Sequence, residues 1–578
     1  MLDIERVLND LLFYDIEVFQ HDALVVFKDI DGNTVKTFHN DFEGLREVIK
    51  GKTLVGYNNY FYDDFILNWM LTGKTVYQLK QLNDEIIGGS RLKASCLDSD
   101  IFSIDCFQQA DVSFPSLKKI EANMGADIYE SAIDFTIERK LTDDELLEVI
   151  DYCEYDVLKT IDVFKLRKDS YFIPKLNLIK MLDHKLQLKA IRWNTTTISA
   201  NIICEGKPLL QWSDIRLGEY DPSGEYEMFE KVPAQVRDFW KANYKKEKGK
   251  ITVTDFGCNI EFGFGGLHGV PINNQVKYRN VKLLDVASLY PNIVIKLGVL
   301  GSRTDIYQEI VNKRLAIKHS DKVLSSTLKL VINSVYGLLR SPYSLLKNHY
   351  GATSVCIYGQ IILYDLCQRL SHTCKIVNIN TDGVGFITDS DHYKQVWKEW
   401  EEDYGFILEL EEYDQFIQKD VNNYIAIEPN GRVTCKGGDI GRYVQNDSQL
   451  FKNNSLRIVD LAVGNYLMHN VDPLDTIIDN LDNPVLYQQV LQAGNTYQGT
   501  YDDEDVKYQK VNRVFPVKKG GVKLYKKRSD GGKVMFPDSP DNMLVWNQEV
   551  SEFDDFKKVI DLNFYYQLTS KIIERWEV

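Results

Sequence analysis

Two aspartates sit where apolar strands end, and any fold for this chain has to account for them. Asp285 lies near the end of an apolar run at 281–287 and leads into Ser288-Leu289-Tyr290-Pro291. Asp382 falls in Asn380-Thr381-Asp382-Gly383, between two apolar stretches that read as a hairpin over 375–388. A D-G pair at a hairpin tip is usually only a turn. If the two strands are neighbours, however, both acids reach one edge of a sheet and can share two divalent ions roughly 3.5–4 Å apart.

The residues between these acids add positive charge in a regular pattern. A helix over 305–318 carries Arg314 and Lys318 four apart, hence on one face. A second helix, over 326–339, carries Lys329 and Asn333 at the same spacing, with Tyr336 one turn on. A further helix is predicted over 355–370. Alone, Arg314 and Lys318 read as a solvated helix face. Beside paired acids they are what phosphoryl transfer needs, since charge develops on oxygens that cationic groups stabilise.

A second acid set lies near the N-terminus. Residues 11–19 read as an apolar strand that contains Asp15 and Glu17, two apart and therefore on one face. An exposed strand at a sheet edge is the plain explanation. Buried together, the two acids are costly unless a cation neutralises them. Asn59 with Asp63 follows at four-residue spacing, and the neighbours Asn58 and Asp64 leave a shift by one residue open. A long helix over 143–167, opened by a Thr142/Glu145 capping box, carries Tyr152 and Asp156 on one face. Asp105 is a further acid that could lie close. Oxygen-only ligands of this kind suit Mg²⁺, with Mn²⁺ as the alternative.

Taken in order, these segments resemble family B DNA polymerases. The N-terminal acids resemble the three exonuclease motifs of a proofreading domain. The later ones resemble motifs A (DxxSLYP), B (KxxxNSxYG) and C (DTDS). The resemblance covers most of residues 10–440. It implies an α/β multidomain protein, with an RNase H-like 3′–5′ exonuclease domain (1–170) and a linker or template-side region (171–280). A right-hand polymerase follows, with palm (281–300 and 341–439), short fingers (301–340) and thumb (440–578). It implies DNA-directed DNA polymerisation with proofreading, with two Mg²⁺ ions per site, dNTP substrates and primer–template DNA. By the same resemblance Asp15, Glu17, Asp63 and Asp156 are metal ligands and Tyr152 orients the attacking water. Asp285, Asp382 and the Val286 carbonyl hold the polymerase metals. Ser288, Leu289, Tyr290, Arg314, Lys318, Lys329, Asn333 and Tyr336 bind the nucleotide, with Tyr290 rejecting a 2′-hydroxyl. The Gly-rich run Phe262–Gly269 resembles the linker that touches template.

The chain departs from that pattern at Asn380, where the family has Asp, at Gly383, where it has Ser, and at Asn422, where it has Lys. Short spans between motifs leave no room for the insertions of protein-primed phage enzymes. Strong strand displacement and protein priming are therefore not expected, while the compact size suggests a phage or mobile element. The rival readings are an exonuclease whose degenerate polymerase half serves as a DNA clamp, and a non-catalytic template-binding scaffold.

Composition limits these readings. With 578 residues, several domains are expected. A net charge of −16 opposes phosphate binding overall, but residues 507–533 hold ten Lys or Arg against one acid, interleaved with Tyr508, Phe515 and Tyr525. The nine cysteines form no C-x-x-C pair, so neither a disulfide framework nor a zinc site is expected. There is no signal-peptide pattern and no long apolar run. The expected setting is the cytoplasm, a host's if viral, for a monomer working with DNA, dNTPs and replication accessory proteins.

Overall fold

A computed structural model describes residues 3–109, 115–209, 229–244, 246–444 and 453–577. Parts of the expected spans 171–280 and 440–578 thus lie outside the described residues. The chain is a mixed α/β protein of two compact units. One comprises Met1–Asn194, Gln445–Val459 and Leu474–Leu568; the other comprises Thr195–Val444, Asp460–Pro473 and Thr569–Val578.

The first unit begins with β1 (Leu11–Val18), β2 (Ala23–Lys28), β3 (Thr34–His39), β4 (Thr53–Gly56) and β5 (Ser103–Asp105), in the order β3-β2-β1-β4-β5. Pairing is parallel for β1–β4 and β4–β5 and antiparallel for β1–β2 and β2–β3, so β2 alone runs against the rest. Leu12, Tyr14, Ile16 and Val18 pack into one core with Val25, Phe27, Leu54, Ile66 and Met70. The period of two then turns Phe13, Asp15 and Glu17 to the opposite face. Helices α1 (Asp63–Leu71), α2 (Leu117–Met124) and α3 (Asp143–Arg167) follow. Phe13 meets Phe164 of α3 edge-on, with centroids 5.4 Å apart, so α3 covers the acid face. The capping box forms: Glu145 N–H donates to Thr142 Oγ1 at 3.3 Å, and Thr142 N–H to Glu145 Oε2 at 2.8 Å.

The second unit is built on a nine-stranded sheet. Its strands are β6 (Ile251–Asp255), β7 (Cys258–Phe262), β8 (His268–Pro271), β9 (Lys277–Val286), β10 (Lys375–Asn380), β11 (Gly383–Ile387), β12 (Leu408–Asp420), β13 (Asn423–Ile427) and β14 (Val433–Lys436). The order is β14-β13-β12-β9-β11-β10-β8-β7-β6. The sheet runs unbroken across residue 280, so the strand of Asp285 shares its sheet with the hairpins before it. Helices α4 (Leu289–Lys296), α5 (Thr304–Ile317), α6 (Lys322–Arg340), α7 (His349–Ser371) and α8 (Tyr393–Tyr404) complete the unit. Val355, Ile357, Ile361, Leu363 and Leu366 of α7 are wholly buried, on all sides of that helix. A helix apolar all round belongs inside a core. Accordingly α7 touches β10, β11 and α8, and the α8 residue Trp400 donates to the Ile362 carbonyl at 3.0 Å.

The C-terminal strands return to the first unit. They are β15 (Gln489–Gln492), β16 (Gly499–Tyr501), β17 (Lys507–Tyr508), β18 (Val511–Pro516), β19 (Tyr525–Lys527), β20 (Lys533–Met535) and β21 (Met543–Val545), in sheets ordered β15-β18-β21 and β17-β16-β19-β20. Part of the basic run is drawn inward. Phe515 is core, and Arg513 is completely buried. Arg513 donates to the carbonyls of Ala122 (3.1 Å), Ala126 (2.7 Å) and Gln548 (2.6 Å) and to Gln488 Oε1 (2.8 Å). Burial pulls its guanidinium down to about 10. Lys527 and Lys533 pair with Asp505 at 3.1 and 3.3 Å.

Arg513 thereby fastens β18 to the end of α2. Arg513→Met removes the donor to the buried Gln488 Oε1 and to the half-buried Ala126 carbonyl, while the Ala122 carbonyl keeps the Gly125 N–H, and each acceptor left dry costs about 1–3 kcal/mol. Urea unfolding of the variant is expected to show a loss of about 3–5 kcal/mol. A loss below about 1 kcal/mol would mean that the guanidinium is dispensable.

Candidate active sites

The first acid cluster forms on the inner face of β1. Asp15 and Glu17 lie in the central strand rather than at an edge, each with only part of its surface open to solvent. Burial, then the charge of Asp156, pushes Asp15 up to about 7. Glu17 is pushed well up by burial and by Asp15, Asp156 and Asp63. Asp63, in the first turn of α1, is raised by burial and by Asp15. Asp156, on α3, is also raised by burial, and Tyr152 one turn earlier hydrogen-bonds to it. The fold thus gathers all five of Asp15, Glu17, Asp63, Tyr152 and Asp156. Each acid is destabilised in its charged form by burial, and in Asp15, Glu17 and Asp63 the charge of neighbouring acids adds to this.

The adjacent acid Asp64 faces elsewhere. Its carboxylate takes Tyr14 Oη (2.5 Å), Ser103 Oγ (2.7 Å), Asn59 Nδ2 (3.1 Å) and the Arg192 guanidinium. Asp64 is therefore satisfied within a structural network, while Asp63 is the one that interacts with Asp15. Asn58 donates its N–H to Asp105 Oδ1 at 2.8 Å, and Phe107 N–H does the same at 2.8 Å. Asp105 Oδ2 is buried without a partner, and burial raises the group to about 7.

Lys118 of α2 went unnoticed in the sequence. Its ammonium pairs with Asp156, lies 3.3 Å from Glu121 Oε1 and sits 4.8 Å above the Tyr152 ring. Nothing in the local pattern Ser116-Leu117-Lys118-Lys119 distinguishes it from a solvated helix lysine.

The second cluster forms where β9, β11 and β12 meet. Gly383 pairs opposite Asp285, and Val286 N–H donates to the Asp382 carbonyl at 2.7 Å. Asp285 and Asp382 therefore lie side by side at one end of the sheet. The two-residue loop Thr381-Asp382 puts Thr381 at φ +35°, the left-handed backbone that tight hairpins use. A Cβ at Gly383 would come 3.1 Å from Asp285 Oδ1, so glycine here gives the carboxylate its room. Glu409 pairs opposite Asp285 on β12, with Glu411 two residues on. Burial, then Asp382, Glu411 and Glu409, pushes Asp285 up to about 7, and burial also raises Asp382. The two glutamates were absent from the sequence reading, although an E-x-E beside a strand carrying an acid is a signal of the same kind as Asp15/Glu17.

Ser288 takes φ +53° and turns the chain from β9 into α4, which starts at the buried Leu289. The half-buried Tyr290 and Tyr336 have ring centroids 4.7 Å apart. Tyr336 Oη meets Cys356 Sγ at 2.6 Å and accepts from Arg340 Nε at 2.9 Å. Arg340 also donates to the Phe264 carbonyl at 3.0 Å, tying the Gly-rich run to α6. Gly266 packs on the hairpin tip: a Cβ there would lie 2.3 Å from Thr381 Oγ1. Lys329 and Asn333 share an exposed face of α6. Arg314 is half-buried, and Lys318 lies 3.7 Å from Glu409.

Among the described residues, no three Asp, Glu, His or Cys side chains are drawn together tightly enough to cage an ion. The donor chemistry nonetheless fits a hard divalent cation. Both clusters are all-oxygen, and their raised acids reflect burial and negative charge that is only partly compensated.

No family model matches the chain, and no curated protein matches it. Among solved structures, it is similar to the family B DNA polymerase from the hyperthermophilic archaeon Pyrobaculum calidifontis. The likeness is at 13% identity with a TM-score of 0.43, over 98% of this chain and 77% of that one. No helix among the described residues is long and apolar enough to cross a membrane.

The raised Asp105 gives a pH test. An unfolded aspartate ionises near 4, whereas Asp105 keeps its proton to about 7, so the native state loses stability as pH rises through that window. Asp105→Asn keeps the acceptor for Asn58 and Phe107 and removes the ionisation. The variant is expected to melt with wild type at about pH 4 and above it at about pH 8. A variant that melts lower at the higher pH contradicts this.

Proposed function

We propose that this protein is a DNA-directed DNA polymerase with a 3′–5′ proofreading exonuclease, each reaction run at its own acid cluster. The observation that carries the reading is that the hairpin loop sets Asp382 beside Asp285, with Gly383 opposite Asp285 and the Val286 N–H on the Asp382 carbonyl. This occurs in a chain that assembles a second buried acid set on β1, α1 and α3. The order β3-β2-β1-β4-β5, with only β2 reversed, supports an RNase H-like exonuclease domain. The continuous antiparallel sheet of the second unit supports a palm.

In the polymerase site, Asp285, Asp382 and the Val286 carbonyl would hold the ions. In the exonuclease site, Asp15, Glu17, Asp63 and Asp156 would do so. Mg²⁺ or Mn²⁺ held there would supply Lewis acidity for the attacking hydroxyl or water and for the departing oxygen. Arg314, Lys318, Lys329 and Asn333 bind the triphosphate and offset the charge that moves onto it. Tyr290, against Tyr336, shapes the space for the sugar and rejects a 2′-hydroxyl. Tyr152, hydrogen-bonded to Asp156, orients the hydrolytic water. The lysines of residues 507–533 that stay outside the core grip the nucleic-acid backbone in a sequence-independent way. A bacteriophage or mobile-element origin is part of the same proposal.

The second reading, an exonuclease with a polymerase half kept as a DNA clamp, draws on Asn380 and Gly383. A primer-extension gel separates the two. Asp382→Asn is expected to lower dNTP incorporation by about a thousandfold or more while digestion continues. Asp15→Asn with Glu17→Gln should do the reverse. Loss of both activities from either change, in a folded protein, overturns the two-site reading. Digestion without incorporation in the wild type favours the clamp.

A further inference from the structure

The exonuclease cluster contains a cation of its own. Lys118 Nζ pairs with Asp156 and is stacked on Tyr152, the two residues that the proposed reaction uses on α3. One helical turn along α2, Glu121 is wholly buried, and its Oε1 lies 3.3 Å from the same ammonium. Glu121 Oε2 is buried with no hydrogen-bond partner. A buried carboxylate oxygen left unpaired is costly, and a structural salt bridge would normally satisfy both oxygens. Here one lysine lies between two acids and pairs with both, and the second acid keeps one buried oxygen unpaired.

We propose that Lys118 is the resident counter-ion of this cluster, bound to Asp156 when no metal is present, and that Glu121 receives its ammonium when a divalent ion takes Asp156. This rests on the exonuclease reading above. The physical reason is charge. With its acids buried, the metal-free site needs a cation to keep Asp156 in place, and a divalent ion cannot share Asp156 with an ammonium at full strength. Glu121 lets Lys118 withdraw without becoming a buried unpaired charge. Lys118 is thus a positioning residue for metal loading rather than a ligand.

A double-mutant cycle read by Mn²⁺ binding tests this. The full chain carries Asp285→Asn and Asp382→Asn to silence the other acid pair, and free Mn²⁺ is followed by electron paramagnetic resonance. Lys118→Met should bind Mn²⁺ about tenfold tighter, because the competing charge is gone. Glu121→Gln should bind more weakly. The double variant should match Lys118→Met, since the effect of Glu121 passes through the lysine. Lys118→Gln serves as a second neutral variant should the methionine variant fail to fold. Equal Mn²⁺ affinity in all variants overturns the counter-ion role and leaves the exonuclease reading standing. Weaker binding by both neutral variants overturns it too, as does a Glu121→Gln penalty that persists without Lys118. Absence of Mn²⁺ binding from every variant removes the exonuclease reading as well.

Discussion

Buried carboxylates repel one another, and both candidate sites are organised around that repulsion. Asp15, Glu17, Asp63 and Asp156 come from β1, α1 and α3, and Asp285 and Asp382 from a strand and a hairpin loop. In each set the charged forms are disfavoured by burial, and in Asp15, Glu17, Asp63 and Asp285 by one another as well. Folding has to overcome that cost with apolar packing: Phe13 on Phe164 behind the first set, and the wholly buried α7 in the unit that carries the second. A bound cation would offset that cost.

The two sets offset their charge differently. The first carries an internal ammonium, Lys118, and behind it a fully satisfied acid, Asp64, whose pairing with Arg192 and Tyr14 anchors the start of α1. In the second, among the described residues no ion pair to Asp285 or Asp382 is formed, and the exposed Lys318 lies on Glu409. Glycine supplies the room instead, at Gly383 beside Asp285 and at Gly266 beneath Thr381. The glycine at position 383 is thus part of the local packing.

Much of this was visible in the sequence where the signal is short-range. The period of two predicted that Asp15 and Glu17 share a face, and the capping box placed the first turn of the helix bearing Tyr152 and Asp156. The predicted hairpin over 375–388 coincides with β10 and β11. What sequence reasoning could not reach depends on distant contacts. Asp63 and Asp64 are neighbours at a helix start, and only the partners of Asp64 tell them apart. Lys118 reads as an ordinary helix lysine until α2 is packed against α3. Arg513 and Phe515 looked like one basic, aromatic surface, but β18 carries both into the interior. The hairpins β6 to β8 were hard to read because their strands are short and half polar.

Anomalous diffraction from crystals soaked in Mn²⁺ decides whether both acid clusters take up divalent ions. Anomalous peaks are expected at two places, one among Asp15, Glu17, Asp63 and Asp156 and one between Asp285 and Asp382. Well-diffracting crystals with both clusters free of Mn²⁺, or with the ion bound only at surface acids, would contradict the two-site reading.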